Sequence, residues 1–154
     1  VPGRSELVDN KKGLTIMIDY AHSPESLQSI LSAVKSYTRG KVISVFGCGG
    51  DRDKTKRPIM GKISTSIADF TIITSDNPRT EDPDTIVNEI EVGAKKAKGK
   101  YKKIVNRTEA IKYAINMASK NDIIVLAGKG HETYQEINGI KHHYDEREII
   151  KEVI

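Results

Sequence analysis

Residues 42–54 read Val42-Ile43-Ser44-Val45-Phe46-Gly47-Cys48-Gly49-Gly50-Asp51-Arg52-Asp53-Lys54. The first five are mostly apolar and β-branched, and a polar, glycine-rich segment follows at once. A short apolar run of this kind is typical of a strand that is buried on both faces of a parallel sheet. The polar segment then predicts a loop at the carboxyl end of the strand, where α/β folds bind their ligands.

Similar apolar runs recur along the chain, and helical patterns separate them. The runs lie at residues 14–18, 70–74 and 122–126, with a weaker one at residues 102–105. Ser23 before Pro24, Asp82 before Pro83, and Asn106 are predicted helix starts, because such side chains cap helices and proline favours the first helical position. A less regular helix is expected over residues 58–68. The alternation predicts an α/β fold with a Rossmann-like, mostly parallel sheet flanked by helices.

The last part of the chain has a different pattern. Asn138-Gly139 separates two short strand-like segments, and this dipeptide favours the type I′ turn of an antiparallel hairpin. Asp145 then opens a final helix with a start that resembles a capping box. We therefore expect residues 1–154 to form one domain with an antiparallel hairpin near its carboxyl end.

Composition excludes several classes of protein. Hydrophobic residues make up 37% of the 154 positions, enough for a folded core. No apolar run approaches the roughly 18 residues of a membrane span, and a signal peptide is not expected. The single cysteine fits a reducing cytoplasm. The net charge of +4 owes much to a lysine-rich run at residues 95–103, which we interpret as a solvated helix end and not as a nucleic-acid surface.

Three features resemble catalytic motifs only superficially. The loop at residues 47–55 has the composition of a phosphate-binding P-loop, but Asp53 stands where that motif requires glycine. His131-Glu132 is not followed by the second histidine of a zinc protease, because Gln135 takes that place. Cys48 has no evident base and reads as a small buried residue.

Four polar loops follow the predicted strands, at residues 19–22, 47–56, 75–79 and 128–132, and should meet at one edge of the sheet. Together with the amino terminus they resemble the carboxy-terminal domain of the Mur ligases, in particular of members that add the third residue of the peptidoglycan stem peptide. The matching segments occur in the family's order: Val1-Pro2-Gly3-Arg4, Asp19-Tyr20-Ala21-His22, Gly47 to Lys54 with Lys56-Arg57-Pro58, Asp76-Asn77-Pro78-Arg79, and Gly128-Lys129-Gly130-His131-Glu132.

The resemblance implies an ATP-dependent ligase of peptidoglycan precursor synthesis. It would add meso-diaminopimelate to UDP-N-acetylmuramoyl-L-alanyl-D-glutamate through an acyl phosphate, with ATP and Mg2+ as cofactors. The family's UDP-binding and central ATPase domains have no counterpart in these residues, so residues 1–154 should supply amino-acid recognition and one wall of the ATP site. The resemblance implies no catalytic residue and no metal ligand here, and a monomer is expected.

The resemblance also implies roles for individual residues. The incoming amino acid would be held by Arg52, Asp76, Asn77, Pro78, Arg79, Gly128 and Glu132. Arg79 can form a bidentate pair with the distal carboxylate that diaminopimelate has and lysine lacks, while the Gly128 carbonyl and Glu132 would accept from the ammonium. The residues facing ATP would be Arg4, Asp19, Tyr20 and His22.

One alternative remains open from the sequence. The same loops would suit a stand-alone α/β module that binds a nucleotide or another anion without catalysis. An upstream P-loop of the Gly-Lys-Thr type would decide between the two interpretations.

Overall fold

The apolar runs form one sheet in a computed structural model that describes residues 2–154. Its strands are β1 Glu6–Leu7, β2 Thr15–Asp19, β3 Val42–Phe46, β4 Phe70–Ile73, β5 Tyr101–Lys103 and β6 Ile123–Ala127. They are ordered β1-β2-β6-β3-β4-β5, and all neighbours are parallel except β1 and β2. The predicted sheet is confirmed, and each predicted run lies within two residues of its strand.

Helices cover both faces of the sheet, which explains why the central strands lack alternation. Every residue of β3 and β6 is buried. One face packs against helices α1 Pro24–Tyr37, α2 Lys56–Ile67 and α3 Pro83–Ala97. The other packs against α4 Arg107–Met117 and α5 Glu146–Val153. A strand between two apolar layers has no solvent face, so it needs no polar residue at every second position.

The predicted helix starts are confirmed by their hydrogen bonds. Ser23 and Ser26 form a reciprocal capping box at α1, and the carboxylate of Asp82 accepts from the Asp84 amide at α3. Asn106 caps α4, and Asp145 caps α5. The less regular helix differs from expectation, because α2 begins at Lys56, two residues before Pro58.

The carboxyl-terminal hairpin forms its own two-stranded antiparallel sheet, as predicted. Strands β7 Tyr134–Ile137 and β8 Ile140–His143 are joined at Asn138 and Gly139, whose φ values of 51° and 79° fit a type I′ turn. The hairpin is attached to the loop after β4 through the backbone. The Arg79 amide donates to the Glu136 carbonyl at 3.0 Å, and the Asn138 amide donates to the Arg79 carbonyl at 2.9 Å.

A fully buried ion pair joins the two helices on the second face. The Arg107 Nε donates to Glu146 Oε2 at 2.8 Å, and neither side chain is more than 1% exposed. The two Nη atoms of Arg107 donate at 3.0 Å to the carbonyls of Ser75 and Ala127. One guanidinium therefore connects the starts of α4 and α5 to the chain just after β4 and at the end of β6.

Across residues 2–154 there is no helix with the length and apolar character needed to cross a membrane.

Candidate functional site

The loops after four parallel strands meet at the carboxyl edge of the sheet, as the sequence predicts. They enclose a cavity of about 390 Å³. Its wall includes six of the seven residues predicted to bind the amino acid: Arg52, Asp76, Asn77, Arg79, Gly128 and Glu132. A larger cavity of about 740 Å³ is lined by Pro78 and Arg79 but by none of the other residues predicted to bind the amino acid. Volume alone therefore does not identify the site.

Close backbone packing holds two of these loops together. The Gly50 amide donates to the Asn77 carbonyl at 2.8 Å, and a Cβ at Gly50 would lie 1.9 Å from the Pro78 oxygen. Only glycine fits at that distance, so the glycine-rich loop is shaped to pack against residues 76–79. Pro78 itself is buried outside the wall of the 390 Å³ cavity and shapes the site through its backbone.

Two arginines, Arg52 and Arg79, give the cavity cationic hydrogen-bond donors. The Arg79 Nη1 donates to the Gly50 carbonyl at 3.0 Å, and its Nε lies 3.4 Å from Glu136 Oε1. These contacts aim the guanidinium, which is 18% exposed, at the cavity. The backbone of Arg79 has a φ of 52°, a left-handed conformation that costs a non-glycine residue free energy and often marks a functional site. Arg52 is exposed at the cavity rim.

The same cavity also contains hydrogen-bond acceptors. Glu132 is 14% exposed, and its Oε1 accepts weakly from Asn77 Nδ2 at 3.3 Å. The Tyr134 hydroxyl lies 3.4 Å from the second carboxylate oxygen. Gly128 lines the same cavity with a φ of 116°, and a Cβ at this position would lie 3.2 Å from Asp76 Oδ2. The cavity therefore contains both cationic donors and anionic acceptors.

The four residues predicted to face ATP line a second cavity of about 450 Å³. Both carboxylate oxygens of Asp19 are engaged, one by the Ser5 amide at 2.7 Å and the other by the Ala21 amide at 2.9 Å. The two amides hold the Asp19 carboxylate in place, and the exposed Arg4 lines the same cavity. Tyr20 and His22 line both cavities, with ring centroids 4.5 Å apart. Val1 of the first motif lies outside the described residues.

Comparison with known proteins gives a family for this arrangement. The family model described as "Mur ligase, glutamate ligase domain" matches residues 3–130. The chain belongs to the Mur ligase family. The resemblance inferred from the five sequence segments is thus confirmed.

Individual Mur ligases match over the whole chain. The chain is 50% identical over 154 residues to the UDP-N-acetylmuramoyl-L-alanyl-D-glutamate–2,6-diaminopimelate ligase of Clostridioides difficile (strain 630), covering 100% of this chain and 32% of that protein. Identity to the ligase of that name from Clostridium perfringens (strain 13 / Type A) is 53% over 156 residues, with the same coverage. A solved structure of a ligase of that name superposes with a TM-score of 0.91 at 41% identity, covering 100% of this chain and 31% of the other. The chain therefore spans about a third of the length of these Mur ligases.

Two buried cations in this Mur ligase chain were missed as site residues by the sequence analysis. Lys129 is fully buried beneath the cavity, although the sequence places it between two glycines in a polar loop. Arg57 is also fully buried and donates to the carboxylates of Glu81 and Glu89 and to the Gly49 carbonyl. Arg57 therefore anchors the glycine-rich loop from below. The sequence did contain one signal for Arg57, since it lies in the Lys56-Arg57-Pro58 segment that matches the family.

The interpretation of Cys48 as a buried structural residue agrees with its surroundings. Its thiol lies 3.8 Å from the sulfur of Met60, and burial raises its pKa to about 12. A thiol with so high a pKa is not a nucleophile at neutral pH.

The Arg57–Glu81 pair makes a specific contribution to acid stability. The hydrogen bond from Arg57, followed by one from the Asp51 amide, lowers the pKa of Glu81 from 4.5 to about 2. Between these values the unfolded chain takes up a proton that the folded chain does not, so stability falls as pH falls through this interval. We expect Glu81→Gln to be less stable than wild type at pH 7 but to lose less stability between pH 4.5 and 2.5.

Urea unfolding at a series of pH values measures this difference. Glu25→Gln, which removes an exposed carboxylate in the first turn of α1, is the matched control and should keep the wild-type slope. A Glu81→Gln slope equal to wild type would contradict the role assigned to the pair.

Proposed function

We propose that residues 1–154 form the carboxy-terminal, amino-acid-binding domain of an ATP-dependent ligase that adds meso-diaminopimelate to UDP-N-acetylmuramoyl-L-alanyl-D-glutamate. The observation that carries this proposal is that one cavity of about 390 Å³ is lined by both the Arg79 guanidinium and the Glu132 carboxylate. Diaminopimelate ends in a carboxylate and an ammonium on one carbon, so a site for it needs a cationic donor and an anionic acceptor in the same cavity. The names of the full-chain relatives support the same substrate.

The residues of this chain would bind and orient the nucleophile. In the proposed reaction the γ-phosphoryl group of ATP passes to the D-glutamyl carboxylate, with ADP as the leaving group. The free amine of diaminopimelate then attacks the acyl phosphate, forming the amide and releasing phosphate and a proton. Holding the distal zwitterion between Arg79 and Glu132 would leave the reacting amine at the other end of the molecule directed out of the cavity, which lowers the entropic cost of attack.

ATP would face the 450 Å³ cavity from the rest of the ligase. Arg4 supplies a guanidinium for a phosphate, and the Tyr20 and His22 rings supply a surface for the base. Since these two residues also line the amino-acid cavity, both ligands would meet at one wall. Magnesium is different, because residues 2–154 hold no group of three or more His, Cys, Asp or Glu side chains suited to a metal ion. These residues do not fit the metal, and we derive no step through it.

The test is a comparison of the complete ligase with this chain alone. Supplied with ATP, Mg2+ and the UDP-linked dipeptide, the complete ligase should form the diaminopimelate tripeptide, detected by mass spectrometry, and should form it faster than the lysine product. The 154-residue chain alone should release phosphate from ATP only at the background rate, because its loop at residues 47–55 lacks the P-loop spacing.

Two results would contradict the proposal. Preference of the complete ligase for lysine would overturn the substrate. ATP turnover by the chain alone, abolished by Arg4→Ala or Asp19→Ala, would contradict its assignment as one domain of a larger ligase and would indicate a stand-alone enzyme.

A further inference from the structure

The ammonium of Lys129 is enclosed beneath the amino-acid cavity with four oxygen atoms around it. Its Nζ lies 2.9 Å from Asn77 Oδ1, 2.8 Å from the Tyr134 carbonyl oxygen, 3.2 Å from Asp76 Oδ1 and 3.8 Å from Glu132 Oε1. The side chain is 0% exposed. A lysine ammonium has three N–H donors, and Asn77 and the Tyr134 carbonyl take two of them, while the Asp76 and Glu132 carboxylates balance the charge. Lysine is rarely buried to this extent without such partners.

The contact with Asn77 determines which way its amide points. Asn77 Oδ1 also accepts from the Glu136 amide at 3.0 Å. Both neighbours can only donate, so turning the amide over would set its NH2 group against two donors. The oxygen therefore faces β7. Asn77 Nδ2 faces Glu132 and the cavity, using one hydrogen for the Glu132 carboxylate and leaving the other for a ligand.

Lys129 also pairs with the carboxylate of Asp76, the residue before Asn77. Within residues 2–154, Asp76 Oδ1 is buried without a hydrogen bond of good geometry, and its ion pair with Lys129 is what compensates its charge. The Asp76 backbone is fixed separately, since its carbonyl accepts from Gln135 Nε2 at 2.8 Å. One buried cation thus supports two neighbouring residues of the cavity wall.

We propose that Lys129 is a positioning residue that sets the polarity of the amino-acid site. Together with the Glu136 amide it fixes the amide of Asn77, which makes this position a hydrogen-bond donor toward the cavity. That donor lies on the same loop as Arg79, so the two can receive the distal carboxylate of the amino acid together, while Glu132 receives the ammonium. This inference rests on the proposed function and adds to it the residue that orients one of the donors for the carboxylate.

A double-mutant cycle in the complete ligase tests whether Lys129 acts through Asn77. Lys129→Met should raise KM for meso-diaminopimelate by roughly 10- to 100-fold, the range for losing a hydrogen bond to a charged group, and leave KM for ATP within about twofold. Asn77→Ala should have a similar effect. Because both changes remove the same oriented donor, the double variant should exceed Asn77→Ala alone by no more than about threefold.

Two further variants keep this test decisive. Lys141→Met is the matched control and should leave both KM values unchanged. Lys141 is an exposed lysine, and its Nζ lies 4.4 Å from the centroid of the Tyr134 ring. If Lys129→Met alone fails to fold because Asp76 is left unpaired, the cycle is run in an Asp76→Asn background, which removes both buried charges.

The outcomes separate this inference from the proposed function. Effects of Lys129→Met and Asn77→Ala that multiply, or an equal rise in KM for ATP, would show a general structural role and overturn the inference. If the wild-type ligase does not use meso-diaminopimelate, the proposed function itself fails, before any variant is compared.

Discussion

Arg79→Ala in the complete ligase should reduce kcat/KM for meso-diaminopimelate by roughly 30- to 4,000-fold, while KM for ATP changes little. Loss of one partner of a buried, charge-assisted pair costs about 2–5 kcal/mol, at 1.4 kcal/mol per tenfold. The proposed role of Arg79 is supported by its contacts, since its guanidinium lines the cavity while the Gly50 carbonyl and Glu136 hold it in place. Steady-state kinetics with each amino acid measure the effect.

The comparison with lysine distinguishes recognition from a structural role. Lysine lacks the distal carboxylate, so its use should fall much less in Arg79→Ala. Glu132→Gln should instead weaken use of both amino acids, because each carries a distal ammonium. If Arg79→Ala reduced use of both amino acids by the same factor, Arg79 would be serving the loop and the proposed substrate would lose its main support.

Arg107→Met should cause the largest loss of stability among the variants considered. The change leaves Glu146 buried without its partner and removes the donors to the Ser75 and Ala127 carbonyls. Breaking a buried ion pair on one side costs about 3–5 kcal/mol. For a chain of about this length, each kcal/mol corresponds to roughly 2–4 °C, so Tm should fall by about 6–20 °C.

An exposed pair provides the control for this stability prediction. Lys35 contacts Asp69 at 2.7 Å, but the two side chains are 44% and 33% exposed. Lys35→Met should cost no more than about 1 kcal/mol, because surface ion pairs are screened by water and salt. Calorimetry on both variants decides the matter, and equal Tm values would show that the Arg107–Glu146 pair adds nothing beyond a surface contact.

The sequence predicted the central strands of the sheet but not its edge strand β1. The central strands were predictable because burial on both faces requires a continuous apolar run, and the helix starts because Ser23, Asp82 and Asn106 form local caps. Strand β1 was missed, since two residues are too few to show a pattern. Its position depends on a distant contact, in which Arg147 of α5 binds the Glu6 carboxylate through two nitrogens.

Within the site, the sequence pointed to the residues that line the cavities and missed the residues that hold them. Loops at the ends of parallel strands can be placed together from topology alone. The burial of Lys129 and Arg57 could not be predicted in this way, because their partners lie far along the chain. Asn77 is 52 residues from Lys129, and Glu81 is 24 residues from Arg57. A lysine among glycines has no local feature that distinguishes a buried ammonium from a solvated one.

The attachment of the hairpin to Arg79 limits how substrate choice can be moved between proteins. Arg79 pairs through its backbone with Glu136 and Asn138, and Asn77 accepts from the Glu136 amide. Suppose that only residues 76–79 were exchanged between two proteins. The recipient would then gain the charged side chains without strand β7, which holds them in position. The smallest transplantable unit for the proposed amino-acid selectivity consists of three separate segments, residues 49–52, 75–81 and 128–138, which would have to be exchanged together.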